Sequence, residues 1–357
     1  MKAKRFFISV IALCCTMAIW AEENDLPMAI LQHGNGSQVT LFKGINALIE
    51  AEAASVDGDV ITLSAGEFYS TNIQKSISLY GAGFEENAEK GTGITKILTK
   101  SYNPLCVVSD GGTLKNVHVE GVYAVGGIYL GKSWNNSYSS DVENITIKKC
   151  YVEGNIPVKN NATNIDISNC VVMGNISGTK DIVVTNFLVS NCYIKETVYT
   201  FSLSSSNVAI DHCIMLEGFY HGNNGSTEPT QYSPFLWTNC IFIKNSEYQY
   251  SVGHGSTARN CICVSRSNGF GNVSCISENI YQVQLTEIFN DALNAEYTAE
   301  RTFVLKNPEM YVGTDGTPIG PSGGLLWNKV PATPVVKNIT LGVSGSQLNV
   351  SYEVDAR

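Results

Sequence analysis

Ile145-Thr146-Ile147-Lys148-Lys149-Cys150-Tyr151-Val152 and, twenty residues on, Ile165-Asp166-Ile167-Ser168-Asn169-Cys170-Val171-Val172 are one phrase written twice. Two apolar residues at alternate positions precede a two-residue polar break, and two more follow it. The phrase recurs around Val117/Val119, Phe187/Val189, Val208/Ile210 and Phe235/Trp237, with a degenerate copy at Ala258 to Cys263. The post-break residues 122, 150, 170, 192, 213, 240 and 261 are separated by 28, 20, 22, 21, 27 and 21 residues. A repeat of this period is a solenoid signature.

Alternation means strands with one buried face, because successive side chains point to opposite sides. The break shifts the phase by one, so a corner is turned while the apolar set still faces inward. Asn recurs at the second break position (Asn169, Asn191, Asn239, Asn260), where a left-handed residue is needed and Asn tolerates one. No helical period separates the strands. The expected fold is all-β: a right-handed parallel β-helix with coils of about 21 residues, like residues stacking about 4.8 Å apart along the axis. Val119, Ile147, Ile167, Val189, Ile210 and Trp237 should form a single buried column.

Composition agrees: 44% hydrophobic, 32 Gly and only 10 Pro describe a chain that can bury a sizeable core. Residues 1–21 read as an export signal, with a basic start at Lys2, Lys4 and Arg5, an apolar stretch from Phe6 to Ala18 and a cleavage site after Ala21. An exported protein, periplasmic, surface-bound or secreted, is expected. No later stretch reaches about 18 apolar residues, so no transmembrane segment is expected. Loss of the leader's three cations takes the net charge from −9 to −12, which argues against nucleic acid and unaided polyanion binding. Of 11 Cys, two lie in the leader; Cys150, Cys170, Cys192, Cys213, Cys240 and Cys261 share one repeat position. Their Cβ vectors should run parallel rather than converge, so they read as buried free thiols acting as small apolar residues. Cys261-Ile262-Cys263 has the spacing of two inward residues on one strand, and no metal or other cofactor is expected.

Residues 41–54 carry Leu41, Phe42, Ile45, Leu48, Ile49 and Ala53 at helical spacing, the mark of a helix capping the open end of the first coil. The run from Gly44-Ile45-Asn46-Ala47 through Gly58-Asp59-Val60-Ile61-Thr62-Leu63 and Gly66-Glu67-Phe68-Tyr69 to Ile77-Ser78-Leu79-Tyr80-Gly81-Ala82-Gly83 resembles the opening of pectin-lyase-like right-handed β-helix proteins, and is close in wording to pectin methylesterases. With the later coils, the resemblance covers most of residues 40–320. Together with Gly313 to Gly324 it is similar to secreted β-helix proteins of gut Bacteroidetes, most of unassigned activity.

The resemblance implies motifs that are mostly missing. The carboxylate runs of a methylesterase are absent. Of the polygalacturonase set only Gly253-His254-Gly255 is present, and it reads as a tight corner. Inverting hydrolysis needs two carboxylates about 6.5 to 9.5 Å apart, so a lone His cannot perform it. A lyase would need a cationic base; Lys148, Lys149, Arg259 and Arg266 are the candidates, with no acid cluster to seat calcium. His212, in the Asn position, reads as a corner residue. No catalytic residue is assigned.

The long inter-coil loops are rich in aromatics, and insertions on one flank of a solenoid are where function concentrates. The candidate carbohydrate-binding residues are Trp134, Tyr138, Tyr220, His221, Tyr232, Tyr248 and His254, rings with amide and hydroxyl neighbours that suit the apolar faces and polar edges of sugars. Two function classes stay open: a monomeric, non-catalytic protein that binds a polysaccharide or cell-surface glycan, and a polysaccharide lyase or glycoside hydrolase. Residues 22–328 should form the β-helix with its N-terminal cap, Thr302 to Gly324 a last coil and closing loop, and 329–357 a linker and C-terminal β-hairpin around Ser344-Gly345-Ser346-Gln347.

Overall fold

A computed structural model describes residues 26–34, 38–87, 91–198, 201–216, 233–243, 256–264, 276–290, 296–332, 335–344 and 347–355. The phrase that opened the sequence builds the stack. Ile145 and Ile147 lie beside Val117 and Val119 on one side and Ile165 and Ile167 on the other, all in parallel register. The ladder continues through Val189, Ile210 and Trp237. Each of these column residues is at most 1% exposed, as a single inward column requires. The chain is a parallel β-helix.

Each corner is set by one residue in the left-handed region: Lys149, Asn169, Asn191, His212, Asn239 and Asn260 have φ between 48° and 56°. Beyond the corner, the pairs Tyr151–Val152, Val171–Val172, Tyr193–Ile194, Ile214–Met215 and Ile241–Phe242 form a second parallel ladder. A shorter third side is made by Asn72–Ile73, Leu105–Val107 and Ile128–Leu130, and farther on by Ile156–Pro157 with Ile176–Ser177. A second Asn column stands at the start of the phrase. Asn116, Asn144, Asn164, Asn186 and Asn207 have φ of 55° to 57°, and each amide from Asn144 onward donates to the one before it at 2.8 to 2.9 Å.

The capping helix is shorter than its sequence pattern. It spans Ala47–Ala54 and buries Ala47, Leu48 and Ala51 against the first coil. Leu41 and Phe42 lie instead in the strand Val39–Lys43, antiparallel to Met28–Gln32, which also pairs with Val60–Leu63. Gly44, with φ 95°, turns the chain between strand and helix. Strand pairing over Val39–Lys43 therefore overrode the helical spacing there.

Thr302 to Gly324 are not a last coil. After the strand Ile276–Val283 and the short helix Leu285–Ile288, residues 296–332 run back along the outside of the solenoid as a strap. Its course is fixed by contacts with successively earlier coils: Val312 with Asn260, Thr314 with Asn239, Gly323 with Asn191, Asn328 with Asn169 and Ala332 with Glu120. The cause lies on the outward side of the second ladder. Val171, Tyr193, Ile214, Ile241 and Ile262 point outward yet are buried, because Phe303, Leu305 and Ile319 of the strap and its neighbours cover them in a second apolar cluster. Sheets with both faces covered are apolar at both phases. The C-terminal hairpin pairs Val335–Ser344 with Gln347–Asp355 in antiparallel register, as its alternation predicts.

Candidate functional site

Of the seven aromatic and histidine candidates, Trp134 and Tyr138 are described; Tyr220, His221, Tyr232, Tyr248 and His254 lie outside the described residues. Trp134 and Tyr138 share the loop between Ile128–Leu130 and Ser139–Lys148. That loop is held by its own short polar side chains. Ser133 donates its backbone N–H to the Tyr138 carbonyl at 3.1 Å, and the Ser133 hydroxyl accepts the Tyr138 N–H at 2.9 Å. The Asn135 carboxamide accepts the Ser137 N–H at 3.1 Å, an Asx turn that fixes the tip. From the next coil, Asn160 donates to the Gly131 carbonyl at 3.0 Å and to Ser139 Oγ at 2.8 Å.

On this fixed loop Trp134 remains 51% exposed. Its ring meets Tyr129, an outward residue of Ile128–Leu130, edge-on at 5.7 Å and 65°. The result is an aromatic ledge rimmed by amides and hydroxyls. Tyr129 was missed in the sequence because the loop, not the strand feeding it, carried the signal. Its outward phase in that strand was the available clue.

A second polar feature runs where the strap crosses the corner column. His212 is 1% exposed, with Nδ1 2.9 Å from Asp211 Oδ2 and Nε2 3.1 Å from Thr317 Oγ. Asp211 also accepts from Thr238 Oγ at 2.6 Å and from the Asn239 amide at 2.8 Å. Burial alone would raise the Asp211 pKa, but the hydrogen bonds from His212, Thr238 and Asn239 and the charge on His212 outweigh it, and the carboxyl is held below its ordinary range.

Carboxylate, imidazole and hydroxyl in series is the order of a nucleophilic triad. Here the hydroxyl is already engaged. Thr317 Oγ accepts the Gly324 N–H at 2.7 Å and lies 2.9 and 3.0 Å from the two Asp315 oxygens. The imidazole is sealed from solvent by the Gly323-Gly324 pair, whose backbone lies so close to the ring that a Cβ on Gly324 would sit 3.0 Å from it. The series therefore fastens the strap. Sequence reading placed His212 correctly as a corner residue but had no sign of its distant partners.

The strap's far end is fastened likewise. Glu120, 4% exposed, accepts the Ala332 N–H at 2.7 Å and pairs with Lys149 at 3.2 Å and His118 at 2.9 Å. Burial would raise its pKa; the hydrogen bonds from His118 and Ala332 and the Lys149 charge bring it below the ordinary value. Lys148 is 2.9 Å from Asp166 and Arg259 2.9 Å from Glu278, so three of the four cations considered as a lyase base are ion-paired; Arg266 lies outside the described residues. Among the described residues no three His, Cys, Asp or Glu side chains are grouped to hold a metal ion, and no helix is long and apolar enough to cross a membrane. No family model, no curated protein and no solved structure matches the chain.

Proposed function

We propose that this is an exported, monomeric β-helix protein, akin to the pectin-lyase-like proteins that its opening resembles, which binds a polysaccharide or cell-surface glycan without cleaving it. The observation that carries the proposal is Trp134: a large ring half in water, on a loop pinned by at least four hydrogen bonds, beside a second ring and a rim of amides. A pinned, exposed indole with hydroxyl and amide neighbours suits a pyranose, whose apolar face stacks while its hydroxyls meet the rim. Tyr220, His221, Tyr232, Tyr248 and His254 are the further rings proposed to contact the glycan.

The test is a glycan array on the mature chain, with product release measured on the same polysaccharides. Trp134→Ala should weaken binding by about 1 kcal/mol, the worth of one stacked ring, and leave Tm nearly unchanged because the ring is exposed. If Trp134→Ala unfolds the protein, the ring is part of the packing and the proposal fails. If glycans are cleaved and His254→Ala abolishes that cleavage, the chain is instead a polysaccharide lyase or glycoside hydrolase.

A further inference from the structure

Between the lower strap and the start of the solenoid lies a cleft of about 620 Å³, within the size range of small-molecule sites. Residues from 85–87, Thr92, and the strap stretches 299–304 and 322–330 wall it. None of them belongs to the Trp134 loop, so the cleft is a second feature, separate from the ledge. Its floor is held rigid. Glu85 accepts the Tyr297 hydroxyl and pairs with Lys329 at 2.5 Å, and Lys329 also donates to the Ala299 carbonyl at 2.5 Å. Arg301, 6% exposed, lies over the Phe303 ring.

Three features of the cleft suit a ligand. Trp327 supplies an aromatic wall, and its plane is fixed by edge-to-face contacts with Tyr297 at 65° and Phe303 at 88°. The indole Nε1 of Trp327 and the hydroxyl of Ser322, both set in the wall, have no hydrogen-bond partner among the described residues, although buried polar groups are almost always paired. Leu326, at the mouth, has φ 65° and is 61% exposed, with Leu325 beside it 73% exposed. A bulky residue in the left-handed region is strained, and such strain persists where the surroundings impose it, commonly at ligand sites.

We propose that this cleft binds a single pyranose ring carrying no negative charge, a neutral or amino sugar. Trp327 stacks on the ring face, the Ser322 hydroxyl meets a sugar hydroxyl after a small turn of its own side chain, and Leu326 closes over the apolar edge. Charge selects the class. Glu85 and Lys329 pair with each other, which leaves Glu86 and Glu300 against Arg301. A uronate carboxylate would face Glu86 and Glu300, and like charges at close range disfavour it.

The test is titration of the full chain carrying Trp134→Phe with glucose, N-acetylglucosamine, glucosamine and glucuronate, read by tryptophan emission and by calorimetry. The substitution removes the ledge indole, and Trp237 is buried in the core. Saturable binding of the first three sugars, glucuronate at least tenfold weaker, and loss of binding in Thr302→Phe are expected. Thr302 is exposed on the cleft wall, so filling there should not disturb folding; Val304→Phe, at another exposed position of the wall, repeats the test if the first variant misfolds. If no sugar binds the Trp134→Phe chain while the unsubstituted chain still binds glycan, the cleft proposal falls and the ledge proposal stands. Binding that survives both fillers, or that favours glucuronate, overturns the cleft assignment as well.

Discussion

Replacing Asn239 by Gly should loosen the strap while keeping the left-handed corner of the coil beneath it. Asn239 is 2% exposed and has φ 56°. Its side-chain N–H groups donate to Asp211 Oδ1 at 2.8 Å and to Thr314 Oγ at 3.1 Å, and its Oδ1 accepts the Thr314 N–H at 2.7 Å. Gly keeps the left-handed backbone and deletes all three bonds. The bond to Asp211 joins two coils and is the same whether the strap is open or closed; the two to Thr314 hold the strap, at about 0.5 to 1.5 kcal/mol each, so opening becomes easier by about 1 to 3 kcal/mol. At 1.4 kcal/mol per decade that is about 5- to 150-fold in the opening constant of the strap, read by hydrogen exchange of peptides covering 312–321. Asn239→Ala should cost about 1 kcal/mol more, since Ala lacks the freedom of Gly at positive φ. Asn207→Gly is the control: it has the same φ, but its amide reaches only the Asn186 ladder, so strap exchange should not change. Strap exchange within threefold of the parent in Asn239→Gly, or Asn239→Ala as stable as Asn239→Gly, would refute the reasoning.

Acid should loosen the strap. Folded Glu120 and Asp211 titrate below their unfolded values of about 4.3 and 3.9, so their contribution is complete above those values and is lost as pH falls through the lower folded ones. Exchange at Ala332 and Thr314 should quicken there, and Glu120→Gln should remove the part seen at Ala332; a strap equally protected at pH 2 and pH 7 would contradict this. The thiols should react only after unfolding and without prior reduction. Burial pushes Cys150, Cys170, Cys213 and Cys261 well above the ordinary thiol range and Cys263 up to about 12. Several disulfides among the column cysteines in mass spectra of the native protein would sink that expectation.

The inward half of this fold is legible because its determinants are local. Alternation at Ile145 and Ile147, the break, and Cys150 with Val152 set phase, corner and inward face within eight residues, and the same rule repeats. The outward half is not local. Val171, Ile214 and Ile241 look like ordinary members of apolar strands, and nothing beside them in sequence says that residues more than 60 positions later cover them. Two neighbouring apolar phases, as in Cys213-Ile214-Met215 and Cys240-Ile241-Phe242, were the only local sign that both faces are buried. The same limit applies to the sites. Trp134 is visible as an aromatic in a polar loop, whereas the cleft needs Glu85 and Trp327 brought together across the whole solenoid.

The two Asn columns separate what a corner requires from what a surface adds. At both, positive φ is the local demand, and Asn meets it at low cost. In the column from Asn116 to Asn207 the amides have only one another, and they form a ladder along the exposed edge. In the column from Asn169 to Asn260 the neighbouring outward face is apolar, so a covering segment is required, and the corner amides become its anchors. Lys149 and His212 satisfy the same φ, yet each replaces the amide with a group that reaches a carboxylate, Glu120 or Asp211. The substitutions fall where the strap needs charge: at its last fastening, and beneath the tight Gly323-Gly324 turn. The strap ending at Ala332 in turn supplies Trp327 and Lys329 to the cleft, so the outward apolar residues of the coils are the physical reason that a cleft exists there at all.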